Sequence, residues 1–349
     1  MVEEQKRDIT IDCLRGVAVI LMIAGHIGFG KEINYYIHSF HMPLFYFVSG
    51  LVFKVNKYKN LSGLVNRLLH RLIFPYFIVG FLHIIIQCVL DLLSSGNCEN
   101  ILIYILQVCW VNNNGFPIAG ALWFLTSLFW TEIYVYILYN IVELFSEKYA
   151  ELILSTVTII LFCVFYPFYK FAKMIPLSIM TLFAGSVFFS FGMAYKHFAF
   201  IIWKIKHKLF VIVAAIIVSF ALSHFNGEVN LRELVYGKSI LLFVVNALMI
   251  ILSIYLSICM MSECNKQCSN NLITFMLNKV ALMGRHSILY VFINALVIRF
   301  VQCIIGHIYY PSSSLIIIAV NFFVFLISTV IMYIITEKIY RTKISKFVS

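Results

Sequence analysis

The sequence predicts an all-α, polytopic membrane protein of about ten transmembrane helices. Hydrophobic residues make up 62% of its 349 positions and charged residues only 12%, a balance foreign to soluble globular domains. Apolar runs of about twenty residues, the length that crosses a bilayer as a helix, recur along the chain. The 26 Lys and Arg divide unevenly between the two sides those runs define.

The runs fall at 11–29, 38–53, 73–93, 118–144, 151–169, 176–195, 209–225, 238–261, 287–307 and 313–335. With the N-terminus in the cytoplasm, 19 Lys and Arg lie in cytoplasmic segments and 5 in outer ones, while Arg15 and Arg299 lie within spans. This is the positive-inside asymmetry, so the formal charge of +11 sets orientation and gives no reason to expect nucleic acid as a partner. An even number of spans returns Lys338, Arg341, Lys343 and Lys346 to the cytoplasm. The expectation is a multi-pass protein of the cell membrane with both termini cytoplasmic. The first span is not a cleavable signal: it holds Arg15, lacks a small-x-small site, and follows the mixed charges Glu3, Glu4, Lys6, Arg7 and Asp8. Residues 1–349 read as one integral-membrane domain, with no internal repeat, low-complexity tract or appended soluble domain.

The first span carries Arg15 near one end and His26 near the other. Eleven residues make about three helical turns, so the two share a face roughly 16 Å apart along the axis. Asp12, Val19 and Met22 fall on the same stripe. Snorkelling to the two surfaces is the bland explanation. Charged groups in a bilayer usually face a bundle interior or a wet cavity, which favours a functional one. After a short outer loop, the second span opens with His38 and His41, one turn apart and at the depth His26 reaches. Three histidines at one depth from consecutive helices argue for a polar site. Pro43 fits a first turn or a kink.

The loop from Lys54 to Leu72 is the most basic, with Lys54, Lys57, Lys59, Arg67, His70 and Arg71. Arg67 and Arg71 sit one turn apart on an amphipathic lead-in ending at Pro75-Tyr76. Such a segment either lies on anionic lipid or clamps a phosphorylated cytosolic ligand, whose oxygens match the arginine fork.

From Ser94 to Gly120 the chain has no Lys or Arg, and its run Ile101 to Val111 is too short to span, which suggests a re-entrant or interfacial segment. Trp123 opens the fourth span as an interfacial aromatic. Glu132 lies deep in that span and requires a proton or a partner, for which Arg299 is a candidate. The loop with Lys196, His197, Lys204, Lys206, His207 and Lys208 is basic and cytoplasmic. The outer loop Asn226 to Lys238, with Glu228, Asn230, Arg232 and Glu233, is polar enough to touch a sugar. Gly284-Arg285-His286-Ser287 opens the ninth span, with His286 or Ser287 as N-cap. Cys13, Cys88, Cys163, Cys259 and Cys303 lie in apolar runs as small hydrophobes. Cys98 and Cys109 are free to pair outside the membrane. Cys264 and Cys268 lack a neighbouring ligand pair, so no metal is expected.

Arg15-x10-His26 followed by His38-x3-Met42-Pro43-Leu44-Phe45-Tyr46-Phe47-x-Ser49-Gly50 resembles the acyltransferase 3 family of integral-membrane O-acyltransferases. Arg67-x3-Arg71-Leu72-x2-Pro75-Tyr76, Leu122-Trp123-Phe124-Leu125 and Gly284-Arg285-His286-Ser287-x2-Tyr290 are similar to its later landmarks, in the same order. The resemblance implies a ten-span bundle that moves an acyl group, usually acetyl from the co-substrate acetyl-CoA, to an extracytoplasmic carbohydrate. That acceptor would be a capsule, exopolysaccharide, lipid-linked or cell-wall glycan. Arg15 and His26 take the family's essential positions. Ile293-Asn294 stands where a Leu-His pair is common, although Asn still donates and accepts hydrogen bonds.

A thioester is already activated, so the protein must position it, deprotonate an alcohol and stabilise an oxyanion. His26 is the expected base, oriented or replaced by His38 or His41. Arg15 lies too far along the axis for the same centre and is assigned to the donor, with Arg67 and Arg71 at its phosphates. Asp12, Trp123, Glu132, Asn294 and Arg299 are the remaining polar or structural positions. The alternative is a transporter of a polysaccharide or lipid-linked sugar, whose polar residues would line a pathway. The expected partners are acetyl-CoA, a carbohydrate and the lipid bilayer, with a homo-oligomer left open.

Overall fold

The computed structural model describes residues 8–97, 100–110, 120–168, 175–176, 178–268, 271–308 and 314–341. Cys98, one half of the suggested Cys98–Cys109 pair, lies outside them, as do Lys343 and Lys346. The helices are α1 (Ile9–Ile27), α2 (Lys31–Val52), α3 (Leu61–Leu68), α4 (Phe74–Ser95), α5 (Ile101–Trp110), α6 (Trp123–Glu143) and α7 (Ala150–Phe165). They continue with α8 (Leu182–Trp203), α9 (Lys208–Asn226), α10 (Ile240–Cys268), α11 (Asn271–Arg285), α12 (Ser287–Ile308) and α13 (Ser314–Arg341). Between α9 and α10, β1 (Val229–Asn230) pairs antiparallel with β2 (Val235–Tyr236), Val229 opposite Tyr236.

Among the described residues, nine helical stretches are long and apolar enough to cross a membrane. The chain is an all-α polytopic membrane protein. With 22 residues, or about 33 Å of helix, α2 is also long enough, but His38, Ser39, His41 and Ser49 make it more polar. The first two helices form the centre. Leu14, Ala18, Val19 and Ile23 of α1 and Leu44, Tyr46 and Phe47 of α2 are completely buried. Among the described residues, the starts of α3, α7 and α9 and the ends of α2, α8 and α13 gather the Lys- and Arg-rich turns on one face, the basic face.

Asp8 caps α1 by accepting from the Thr10 N–H at 2.8 Å. At its other end the chain reverses over three residues only. Gly28 (φ +83°) and Gly30 (φ +92°) supply left-handed backbone open to glycine, and Asn34 Oδ1 accepts from Phe29 N–H at 2.8 Å. The loop expected at 30–37 is therefore helical from Lys31 on, and Pro43 lies inside α2 rather than in its first turn. Between α3 and α4, Leu69–Ile73 forms a π-helical turn. Pro75 explains it: without an N–H, Pro75 cannot bond the Arg71 carbonyl, and the helix widens just before it. The short apolar run forms α5, which folds back along α4. Tyr104 Oη donates to Asp91 Oδ2 (2.8 Å) and the Tyr76 hydroxyl donates to the Val108 carbonyl (2.7 Å).

The helix α11 falls between the eighth and ninth apolar runs, where the sequence predicts no element. It packs against α1 at very short range. A Cβ on Gly16 would stand 2.0 Å from the Val280 oxygen, and one on Gly284 would stand 1.8 Å from the Asp12 oxygen. Arg285 Nε then donates to Asp12 Oδ2 at 2.9 Å, and the Cys13 thiol donates to the Leu277 carbonyl. Asp12 is thus a structural residue, buried at the joint between two helices. Gly284→Ala is expected to cost at least about 1–3 kcal/mol, the usual penalty of overpacking, because backbone and not a flexible side chain blocks the new methyl. The midpoint of thermal inactivation in detergent reads it, and an unchanged midpoint would place α11 away from α1.

Candidate active site

The turn between α1 and α2 brings the three predicted histidines together. His26 lies in the last turn of α1 and is exposed; His38 is half-buried and His41 buried. Gly25 lets α2 approach, and His38 Nε2 stands 3.1 Å from the Gly25 carbonyl oxygen. His41 Nδ1 stands 2.9 Å from the Ile37 carbonyl oxygen. A carbonyl only accepts, so each of those nitrogens carries the hydrogen. Neutral His38 therefore presents its lone pair at Nδ1, and neutral His41 at Nε2. The two rings lie 5.1 Å apart, and His26 and His38 both act electrostatically on His41.

Toward the basic face a cavity of about 500 Å³ opens between α1, α2, the α3–α4 lead-in, α6 and the start of α12. Arg15, Lys54, Lys57, Arg67 and Arg71 line it, with Ser287. The sequence places Arg15, Arg67 and Arg71 at such a site; it names Lys54 and Lys57 only as members of the basic loop and Ser287 only as an N-cap. Arg67 stacks over the Tyr58 ring at 5.6 Å, and burial raises the Tyr58 hydroxyl pKa against the opposing charge of Arg67. The cavity ends at Phe45 and Phe124, whose rings stand 5.4 Å apart. Phe45 is one turn beyond His41 on α2, so the cavity ends about one helical turn short of the histidines.

The partner of Glu132 is Arg71, not Arg299. The Glu132 side chain is 3% exposed and that of Arg71 38%. Arg67 and Arg15 also act on Glu132 electrostatically, so the buried carboxylate lies in the field of three cavity arginines and pairs with one of them. Glu132 Oε2 has no hydrogen-bond partner among the described residues. Arg71→Ala strands that carboxylate and is expected to cost about 3 kcal/mol, the low end for a broken buried pair because Arg71 is half-exposed. Adding Glu132→Gln should recover most of the loss. Thermal inactivation of the two single variants and the double variant measures it, and additive losses would show that the pair is not coupled.

Arg299 projects exposed from the outside of α12, beside the exposed Phe300, so its length serves to reach the interface and not the bundle. Trp123, the first residue of α6, is buried at 7% and packs edge-on against Phe124 inside the bundle. His286 lies in the single-residue turn between α11 and α12, and the Leu289 N–H donates to its backbone carbonyl. Asn294 is fully buried, one turn beyond the cavity residue Val291, and neither amide atom has a partner among the described residues.

A cavity lined by cations on one side of an aromatic pair, with imidazoles on the other, suits transfer between a charged donor and a separate acceptor. A family model described as an acyltransferase domain matches residues 8–337, nearly the whole chain. The chain belongs to the acyltransferase 3 family. It is a multi-pass membrane acyltransferase. No curated protein and no solved structure matches it.

Proposed function

We propose that this acyltransferase moves an acetyl group from acetyl-CoA, bound from the cytoplasm, to a hydroxyl of an extracytoplasmic carbohydrate at the cell membrane. The observation that carries the reading is the cavity on the basic face, which holds five cations and ends one turn from the histidine cluster. The basic face is the cytoplasmic one by the positive-inside rule. Lys54, Lys57 and Arg67 meet the donor phosphates, and Arg71 does so while tied to Glu132. Arg15 stands roughly 16 Å below His26 along α1, room for the slender arm of the donor to carry its thioester toward the histidines. His26 takes the proton of the acceptor hydroxyl as its oxygen attacks the thioester carbon. The Asn294 amide supplies an N–H for the developing oxyanion. The C–S bond then breaks, and His26 returns the proton to the departing thiolate.

Arg67→Ala is expected to raise the KM for acetyl-CoA by about tenfold or more, the worth of a charge-assisted hydrogen bond, with a smaller fall in kcat. Lys at the same position should rescue only part, lacking the planar fork. An unchanged KM would leave Arg67 to lipid anchoring. The whole reading is tested by mass spectrometry of surface glycans from wild type and a deletion strain. Loss of ester acetyl groups is expected, restored by the intact gene and not by His26→Ala. Identical glycans would end it.

A further inference from the structure

On the face opposite the cavity, the β1–β2 hairpin is folded into the bundle instead of lying on it. Val229, Leu231, Leu234 and Tyr236 are buried. Asn226 locks its base: the side-chain amide donates to the Tyr236 carbonyl (3.1 Å), and Asn226 Oδ1 accepts from Ser239 N–H (2.9 Å). At the turn, Leu234 holds φ +57° and Asn230 Oδ1 accepts from Glu233 N–H (3.3 Å). A left-handed leucine costs about 1–2 kcal/mol and persists here because its side chain is buried. The turn is fixed, and so is the backbone of the residue it presents.

That residue is Arg232. It is half-buried, and its Nε is buried without a hydrogen-bond partner among the described residues. No described carboxylate lies within ion-pairing distance of it, although its neighbour Glu233 acts on it electrostatically. Its charge reaches His26 of the histidine cluster and Tyr76 of α4. The other described cations of this face, Lys31 and Lys238, are exposed, over the rings of Tyr35 and Phe225. Burial lowers the pKa of Arg232, in keeping with a charge whose compensation is incomplete. An unmet buried N–H is costly, and Nε with one Nη offers the parallel donors that match a carboxylate or a phosphate.

We propose that Arg232 forms an anion subsite on the acceptor side, and that the acceptor carries a carboxylate or phosphate beside the hydroxyl to be acylated. This rests on the acyl-transfer reading for the identity of the acceptor, but the anion subsite itself does not. The test uses the full chain in nanodiscs and three probes: methyl glucuronide, methyl glucoside 6-phosphate and neutral methyl glucoside. By titration calorimetry without donor, at least one anionic probe should bind about tenfold or more tighter than the neutral one. The preferred anion separates carboxylate from phosphate as the natural group. Arg232→Gln should abolish the preference, Arg232→Lys should keep part of it, and Glu233→Gln should tighten anion binding about twofold to fivefold. With acetyl-CoA supplied, Arg232→Gln should lower kcat/KM for the preferred anionic acceptor about thirtyfold more than that for the neutral acceptor, because any change that reaches His26 falls on both alike. Equal losses on both would place Arg232 at the acyl group and overturn the proposal. So would a wild type indifferent to charge, and Arg232→Lys together with Glu233→Gln carries the test if Arg232→Gln misfolds. Anion preference without acyl transfer would sink the enzymatic reading and uphold the subsite.

Discussion

Replacing His26 by Ala is expected to lower kcat for acyl transfer by about a thousandfold, the mid-range for loss of a general base, with the KM for acetyl-CoA changed less than twofold. His26 is the exposed member of the cluster, whereas His38 and His41 each spend one ring nitrogen on a backbone carbonyl. Those bonds make the alternative bases separable by isostere. Asn reproduces an Nδ1–H donor and Gln an Nε2–H donor, without a titrating lone pair. If His41 only positions its neighbours, His41→Asn keeps the bond to Ile37 and most of the rate; His38→Gln does the same toward Gly25. If either is the base, its isostere is as inactive as alanine. Near wild-type transfer by a normally inserted His26→Ala protein would remove His26 from the chemistry.

The spans were legible because each is a run of about twenty apolar residues bounded by charge, a signal that needs no partner to be read. Where the signal depends on a partner, the sequence fell short. Amphipathic α11, with Asn271, Thr274, Asn278 and Lys279 among its apolar residues, reads as a polar connection until α1 is present to cover Val280 and Gly284. The start of α2 was hidden because Lys31, Glu32 and Asn34 look like a loop, while the glycines that make the true turn lie just before them.

The site divides in the same way. Arg15, His26, His38 and His41 could be found because an ionisable side chain is expensive in a span and spacing places it on a helix face. The depth of Glu132 demands a partner, but Arg71 lies 61 residues away, on a segment that reads equally well as a lipid-facing lead-in. Depth alone favoured Arg299, which the bundle turns outward. Phe45 and Phe124 stand within the motifs that resemble the family, but nothing in those motifs says that the two rings meet; only the cavity's end shows it.

If that aromatic pair divides donor from acceptor as proposed, the largest effect expected of it is on sidedness. In proteoliposomes of one orientation, acetyl-CoA at the basic face should acetylate an acceptor confined to the opposite face. Acetyl-CoA at the opposite face should give no product, whichever side holds the acceptor. The reason is electrostatic and steric together: the nucleotide carries several negative charges, the five cations of the cavity lie on one face, and the rings of Phe45 and Phe124 stand 5.4 Å apart where the cavity ends. Phe45→Ala with Phe124→Ala should widen the passage and release acetyl groups to water, read as acetyl-CoA hydrolysis without an acceptor. Hydrolysis by the double variant should exceed that of wild type about tenfold or more, since water exclusion is what the pair contributes. Efficient transfer with donor and acceptor both confined to the basic face would mean that acylation precedes export, and the two-compartment arrangement would then be wrong.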